Sequence, residues 1–446
     1  DDKFKETFAK KQSNAALALA KLNQPETMWP LLIHNQDPRR RSYLIDKLAL
    51  WNVDHTLILK RLNLENDNSI RRALIQSLGE FSLEQISIDE RKTIIPLLQE
   101  IYLKDNDSGV HASAEWLLKS WGADTFLNKT NETWKNNKDL SAKRQIEIRT
   151  RLEKEKEKSV SQWYVNGQGQ TMVVIPGPVE FLMGSPEGEA DRNIIESQHR
   201  KRISRSFEMS SNLITINQYQ QFDKSYINTL DAKYARSGDL PAINITWFMA
   251  SGYCNWLSQQ EGIPKDQWCY EMDGKGNVTA LKKGYLSLKG YRLPTEAEME
   301  YASRAGSITA RYFGETDELL SKYAWNNRNS QNQTWPVGNL KPNDFGLFDM
   351  LGNCFNWCMD IYKSYPQVDG GVVEDKENEL TISAVDLFLV LKFLDRKNGS
   401  PLENIGRVLR GGSFVSHESL ARSALRGYNI PFVPLEFVGF RLAKTN

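Results

Sequence analysis

"YRLPTEAEMEYASRAG", residues 291–306, decides the fold. Thr295 stands where a helix N-cap belongs, and Glu298 three residues later completes a capping box. Gly306 supplies the stop. The stretch therefore predicts an amphipathic helix over 294–306. Arg292, Glu296 and Glu300 are spaced to pair with one another and to lock that helix to a sheet, which is a scaffold role. A second amphipathic helix is predicted in "FMASGYCNWLSQQEG" (248–262). Ahead of it, "TMVVIPGPVEFLMGS" (171–185) reads as strands broken by Gly/Pro turns, and "NGQGQ" (166–170) as a hairpin turn, not a phosphate loop. Two helices among many short segments predict an irregular α+β domain over 161–446.

The rest of the chain differs in texture. Its 446 residues exceed one compact core and predict two or three domains. Net charge is +1, from 57 Lys+Arg against 56 Asp+Glu, which gives no support to a nucleic-acid or membrane-surface protein. No apolar run is long enough for a transmembrane helix. The chain opens on "DDKFKETFAKKQ" without Met, which we read as part of something longer. Four cysteines (Cys254, Cys269, Cys354 and Cys358) are too few for a disulfide framework and suit a reducing cytoplasm.

Residues 1–122 predict paired helices. "DPRRRSYLIDKLALW" (37–51), "DNSIRRALIQSLGEF" (67–81) and "DSGVHASAEWLLKSW" (107–121) align in phase, each a turn-forming Asp followed by an amphipathic helix. The spacing resembles HEAT repeats, in which stacked hairpins share a core. His111 replaces an Arg of the pattern and is expected at the surface or an interface. Residues 123–160 are mixed in charge and predict a linker or a single bracing helix.

Five motifs in the second part, "EFLMGSPEGEADRNIIESQHRKRISRSFEMSSNLITINQYQQF" (180–222), "LPAINITWFMASGYCNWLS" (240–258), "YRLPTEAEMEYASRAG", "PVGNLKPNDFGLFDMLGNCFNWCMD" (336–360) and "RVLRGGSF…RSALRGYNIP…VGFRLA" (407–443), resemble the formylglycine-generating-enzyme, or sulfatase-modifying-factor, family. The resemblance implies a C-type-lectin-like fold. Helical repeats before such a domain resemble the C-terminal halves of bacterial kinase-like or signalling proteins. Within the motifs, Trp247, Trp256, Trp325 and Trp357 read as core aromatics. Gly411 and Gly412 read as a bend, and Arg410 and Arg441 as bridges to buried carbonyls or carboxylates.

Oxidase members of this family hold copper(I) with two cysteines in the last segment. Here the matching positions are Ser416 and Ala421, and no Cys follows Cys358. Neither side chain suits Cu(I), so the chain is expected not to be an enzyme. Cys354 and Cys358 read as buried thiols, as do Cys254 and Cys269. An iron-binding branch uses histidines of an attached helical domain. His34, His55, His111, His199 and His417 form no such spacing. Ser416, His417 and Glu418 are sequence neighbours, not a triad. The family's calcium motif is reduced to "GNCFNW", leaving Asn353 and Asn356 as the candidate structural calcium ligands.

The framework of the last segment is kept, but apolar residues fill it. Val415, Ser416, His417, Glu418, Leu420, Leu425, Tyr428, Phe432, Val433, Leu435, Glu436 and Phe437 are expected to form an exposed surface for a protein ligand. The alternative has them packed beneath an insertion at 365–405, whose "TISAVDLFLVLKFL" (381–394) would cover them. "HRKRISR" (199–205) reads as an exposed strand face in preference to a basic patch for nucleic acid. The expected function is recognition, regulating an effector domain or partner subunit upstream. A metal-dependent oxidase with other ligands, a retroelement-diversified ligand-binding protein and a scaffold binding through the helical repeats are the alternatives.

Overall fold

The computed structural model describes residues 2–154, 161–366, 370–377 and 406–446. The apolar stretch 381–394 lies outside the described residues. The chain is mixed α+β, a helical region followed by a sheet-containing domain.

The helical region holds α1 (Asp2–Lys21), α2 (Arg39–Leu50), α3 (His55–Leu64), α4 (Asn68–Leu78), α5 (Ile88–Lys104) and α6 (Ser108–Ser120). The turn-forming aspartates of two repeats do the expected work. The Asp67 side chain accepts from the Ser69 and Ile70 N–H groups, and Asp107 from Val110 N–H. Asp37 instead pairs with Arg39, and Pro38 opens α2. α2 packs on α4 and α4 on α6, while α3 and α5 cover that row from outside. Leu44, Leu48, Leu74, Leu78, Leu117 and Leu118 fill the shared core.

Residues 123–154 form two helices, α7 (Asp124–Lys135) and α8 (Lys138–Lys154), where the sequence predicts a linker or a single bracing helix. They are not a loose linker. Ile148 of α8 is buried in the core of the following domain. The Arg144 guanidinium lies 3.6 Å from the Trp163 ring centroid. On the other side His111 stacks on Trp163 at 3.5 Å and on Tyr102 at 4.4 Å. His111 is thus an interface residue but not a surface one. Burial pushes its pKa well below the ordinary value, so the ring is neutral.

The second region contains β1 (Gln162–Val165), β2 (Thr171–Ile175), β3 (Val179–Met183), β4 (His199–Ile203), β5 (Phe207–Ser210), α9 (Ile216–Phe222), α10 (Trp247–Gln260), β6 (Tyr270–Met272), β7 (Val278–Leu281), α11 (Glu296–Arg304), β8 (Phe355–Ile361), β9 (Val372–Glu374), β10 (Arg407–Arg410), β11 (Arg426–Asn429), β12 (Val438–Gly439) and β13 (Ala443–Thr445). They form sheets ordered β1-β2-β5-β13, β11-β10-β8-β12 and β3-β4-β9, with a β6-β7 hairpin. Residues 166–170 turn β1 into β2, as predicted. The Thr295–Glu298 capping box is present.

The two regions are docked through buried charge. The Asp344 carboxylate meets Arg41 at 2.8 Å, Arg72 at 3.2 Å and His34 at 3.1 Å. The Arg41 guanidinium, with the His34 hydrogen bond and the Arg72 guanidinium beside it, holds its pKa well below the usual range despite complete burial. Glu80 of the helical region pairs with buried Lys341 and with Lys322. Phe348 of the domain belongs to the helical core. Gly346 has φ +81°, and a Cβ there would lie 2.3 Å from the Ser108 carbonyl oxygen, so only glycine permits the approach.

One junction is electrostatically overloaded. Arg39 is surrounded by Asp2, Glu6, Asp37 and Glu315. Burial pushes the Glu315 carboxyl up to about 7, partly offset by the Ala310 N–H and Arg39. A raised carboxyl pKa means that ionisation opposes folding, and stability falls as pH rises from the unfolded value towards 7. Glu315→Gln should therefore raise Tm more at pH 8 than at pH 5, which differential scanning calorimetry would read.

Candidate functional site

The positions that the resemblance pairs with the family's copper ligands, Ser416 and Ala421, lie in the segment that follows β10. Gly411 and Gly412 have φ of +97° and +76°, and a Cβ on Gly411 would sit 3.0 Å from the Met350 carbonyl oxygen. The bend sends residues 413–421 back across the domain. Ser416 is 7% exposed; its Oγ accepts from Ser413 N–H at 2.9 Å and lies 3.0 Å from Ser413 Oγ. Ala421 is buried against the core, and its carbonyl accepts from Arg311 Nε at 2.9 Å. The same guanidinium reaches the Glu418 carbonyl at 3.2 Å and Asp317 at 2.6 Å. Copper(I) does not fit this donor set: one position carries a hydroxyl already engaged, the other a methyl group.

The four thiols do not supply a substitute. All are buried and free. Burial pushes each pKa up, Cys269 to about 12, which is opposite to what a thiolate ligand needs. Among the described residues no group of three or more His, Cys, Asp or Glu is arranged to hold a metal ion.

Both candidate calcium ligands already hold protein partners. Asn356 Oδ1 accepts from Arg441 Nε at 3.1 Å, so a guanidinium stands where a cation would bind. Asn353 Oδ1 accepts from Trp335 N–H at 3.2 Å, and its Nδ2 donates to the Trp335 carbonyl at 3.0 Å. Each amide oxygen thus accepts one hydrogen bond and braces a loop.

Buried ion pairs hold the framework around this segment, but not in the expected combination. Arg292 pairs with Glu298, at 2.6 and 2.7 Å, and not with Glu296 or Glu300. Glu296 takes Arg426 at 2.8 and 2.9 Å, and Glu300 takes Arg410 and Arg304. Arg410 also donates to the Ala424 and Leu425 carbonyls, and Arg441 to those of Ser210 and Phe348. Trp247 and Trp357 are fully buried; Trp256 and Trp325 are half-buried, and Trp325 stacks on Trp335 at 4.5 Å.

The expected ligand surface divides. Val415 (44% exposed), His417, Leu420, Tyr428 (43% exposed), Val433 and Glu436 face solvent. Ser416, Glu418 and Leu425 are buried and do not belong to it. Phe432, Leu435 and Phe437 are half-buried: Phe432 stacks on Phe248 at 4.6 Å, and Leu435 and Phe437 pack on the domain core. These three anchor the loop, because a phenyl ring in a loop is stabilised more by covering apolar neighbours than by water.

Sequence reasoning missed a neighbour of this surface. Arg422 pairs with Glu189 and Glu196, each at 2.7 Å, and donates to the Asp191 carbonyl at 3.0 Å. That ties the 186–196 loop beside the last segment and presents Ile194, 84% exposed. The Tyr362 ring lies 4.4 Å from that of Tyr428. Only the isoleucine pair inside an otherwise polar loop signalled this in the sequence.

An irregular three-sheet domain with this arginine–glutamate framework defines a class. Residues 156–446 match the sulfatase-modifying factor enzyme 1-like domain, and the chain belongs to that family. It is 29% identical over 294 residues to a serine/threonine-protein kinase pkn1 of Chlamydia pneumoniae, covering 61% of this chain and 38% of that one. It is 26% identical over 306 residues to the formylglycine-generating enzyme of Streptomyces coelicolor, covering 61% and 88%. Among solved structures it resembles Treponema denticola variable protein 1, with TM-score 0.48, 23% identity and 65% and 100% covered. The chain thus spans well under half the length of the chlamydial relative.

Proposed function

We propose that this domain is a non-catalytic recognition module, the sensor or regulatory part of a larger bacterial signalling or defence protein in the cytoplasm. Its ligand is a protein, bound through the solvent-facing residues of 414–437, with Val415, Leu420 and Tyr428 as the apolar contacts. The observation that carries this reading is the pair Ser416 and Ala421, which removes both soft donors while the surrounding loop stays ordered by Ser413, Asn353 and Arg311. The chlamydial kinase named above supports attachment to an effector. The scaffold alternative is weakened because residues of α2, α4 and α6 already engage the domain through Arg41, Arg72 and Ser108.

Two experiments test it. Purified protein titrated with Cu(I) against bathocuproine disulfonate should retain no copper; one tightly held equivalent per chain would restore the oxidase reading. A Val415→Ser, Leu420→Ser, Tyr428→Ser variant should lose its protein partner in pull-downs with Tm unchanged. Phe432 and Phe437 are left unchanged in this variant, since those two rings pack on the fold. Retained binding by the folded variant would move the ligand site elsewhere.

A further inference from the structure

The basic stretch 199–205, of which His199–Ile203 is β4, contributes to no function described so far. Its neighbour β3 is an outer strand: among the described residues it pairs with β4 alone, and residues 179–182 make no backbone hydrogen bond to any element other than β4. Two cavities adjoin along this edge. One, of about 440 Å³, is lined by Phe181, Leu182, Arg200 and Ile308 among others. The other, of about 630 Å³, is lined by His34, Val179, Asp344 and Phe345 among others. Tyr301 and Gly306 border both, so the two form one cleft. Its far wall is the 305–308 turn, held to the helical region by Ile308 N–H donating to the Gln36 carbonyl at 3.0 Å.

The chemistry of this cleft is specific. An outer strand presents N–H and C=O groups at a repeat of roughly 3.3 Å per residue, which only another extended chain matches. Unguarded edges of this kind are normally covered or charged. The floor is apolar, with the Phe181 and Tyr301 rings 5.2 Å apart. No hydrogen bond occupies the Tyr301 hydroxyl among the described residues, and burial raises its pKa, so it stays protonated and can donate. At the mouth Arg200 meets Glu180 at 3.1 Å, and Arg202 approaches the same carboxylate at 3.9 Å. Arg202 is also held by Glu374 at 3.7 Å, so Arg200, with its side chain 59% exposed and its carboxylate partner shared, is the group left to meet a carboxylate from a ligand.

We infer that the cleft between β3 and the helical region is a second binding site, which takes an extended peptide by strand addition. Apolar side chains of the peptide face Tyr301 and Ile308, and an acidic one faces Arg200. The site exists only while the helical region is docked, because Gln36 holds one wall. It shares no residue with the 414–437 surface, so either assignment can fail alone.

The test uses the full chain and a synthetic probe, Ac-Val-Glu-Val-Glu-Val-NH₂, with its alternately N-methylated analogue as control. Hydrogen exchange across residues 179–183 should slow about fivefold or more with the first peptide and not with the second. Ile308→Arg, at a side chain 52% exposed, should abolish the protection without changing Tm. Arg200→Glu should reverse the preference, favouring the lysine version of the probe. Absent protection, equal protection by the N-methylated peptide, or protection that survives Ile308→Arg overturns strand addition. An unchanged preference in Arg200→Glu overturns the acidic-ligand assignment.

Discussion

Replacing Asp344 by alanine is expected to destabilise the chain by about 3–5 kcal/mol, because the change leaves buried cations without their carboxylate. Arg41 and Arg72 both point at Asp344, and His34 adds a third contact. Arg72 keeps Asp107 at 2.6 Å, but Arg41 keeps only the Leu32 and Ser69 carbonyls. The loss should fall first on docking: hydrogen exchange in α4 and α6 should quicken before that of α10. The pH dependence has a defined sign. A depressed carboxyl pKa stabilises the fold above the unfolded value of roughly 4, and this contribution is lost as pH falls through the folded value. Wild-type protein should therefore undock in acid, while Asp344→Ala lacks that part of the acid transition. A variant as stable as wild type in urea denaturation at pH 7 would refute the hub.

Glu298→Ala should cost a similar amount, about 3–5 kcal/mol, for a different combination of reasons. This carboxylate completes the capping box of α11, binds Arg292 through two oxygens and binds Arg205 at 2.6 Å. Burial opposes ionisation, but the two guanidinium groups and the Thr295 N–H win and hold its pKa at about 2. The stabilisation is present above roughly pH 4.5 and is lost as pH falls towards 2. Truncation leaves the fully buried Arg292 with the Leu293 carbonyl and Thr445 hydroxyl as its remaining partners. Glu298→Gln keeps the shape and should recover only the cap. A Gln variant as stable as wild type would show that charge pairing contributes nothing here, and equal Tm values for Ala and Gln would show that the cap does not.

Glu298 also shows how far the sequence can be read. Its capping role follows from spacing to Thr295 alone, because a cap closes within one helical turn. Its partnership with Arg292 does not follow. Glu296, Glu298 and Glu300 all lie within one short helix, and which guanidinium each meets depends on where β10 and β11 bring Arg410 and Arg426. The sequence assigned Arg292 to the wrong carboxylates for that reason. Asn356 is a parallel case: its amide type permits a cation ligand, yet Arg441, 85 positions away, takes its oxygen.

The last segment divides along the same line. Its framework motifs, the positive-φ glycines at 411 and 412 and the absence of sulfur at 416 and 421 are properties of residue type, and these were legible. Exposure was not. Alternating apolar and polar residues in an irregular loop have no fixed period, so no rule tells Val415, which faces water, from Leu425, which does not.

By itself, then, the sequence determined the family, the helical region followed by a sheet-containing domain, and a serine and an alanine at 416 and 421, since motif order, capping and local periodicity act within a few residues. Only the tertiary structure decided how the helical region docks, which arginine neutralises which glutamate, which aromatics support the final loop, and that an outer strand borders an open cleft. Those depend on groups distant in the chain meeting in a low-dielectric interior, where each charge must find a partner among whatever the packing brings near.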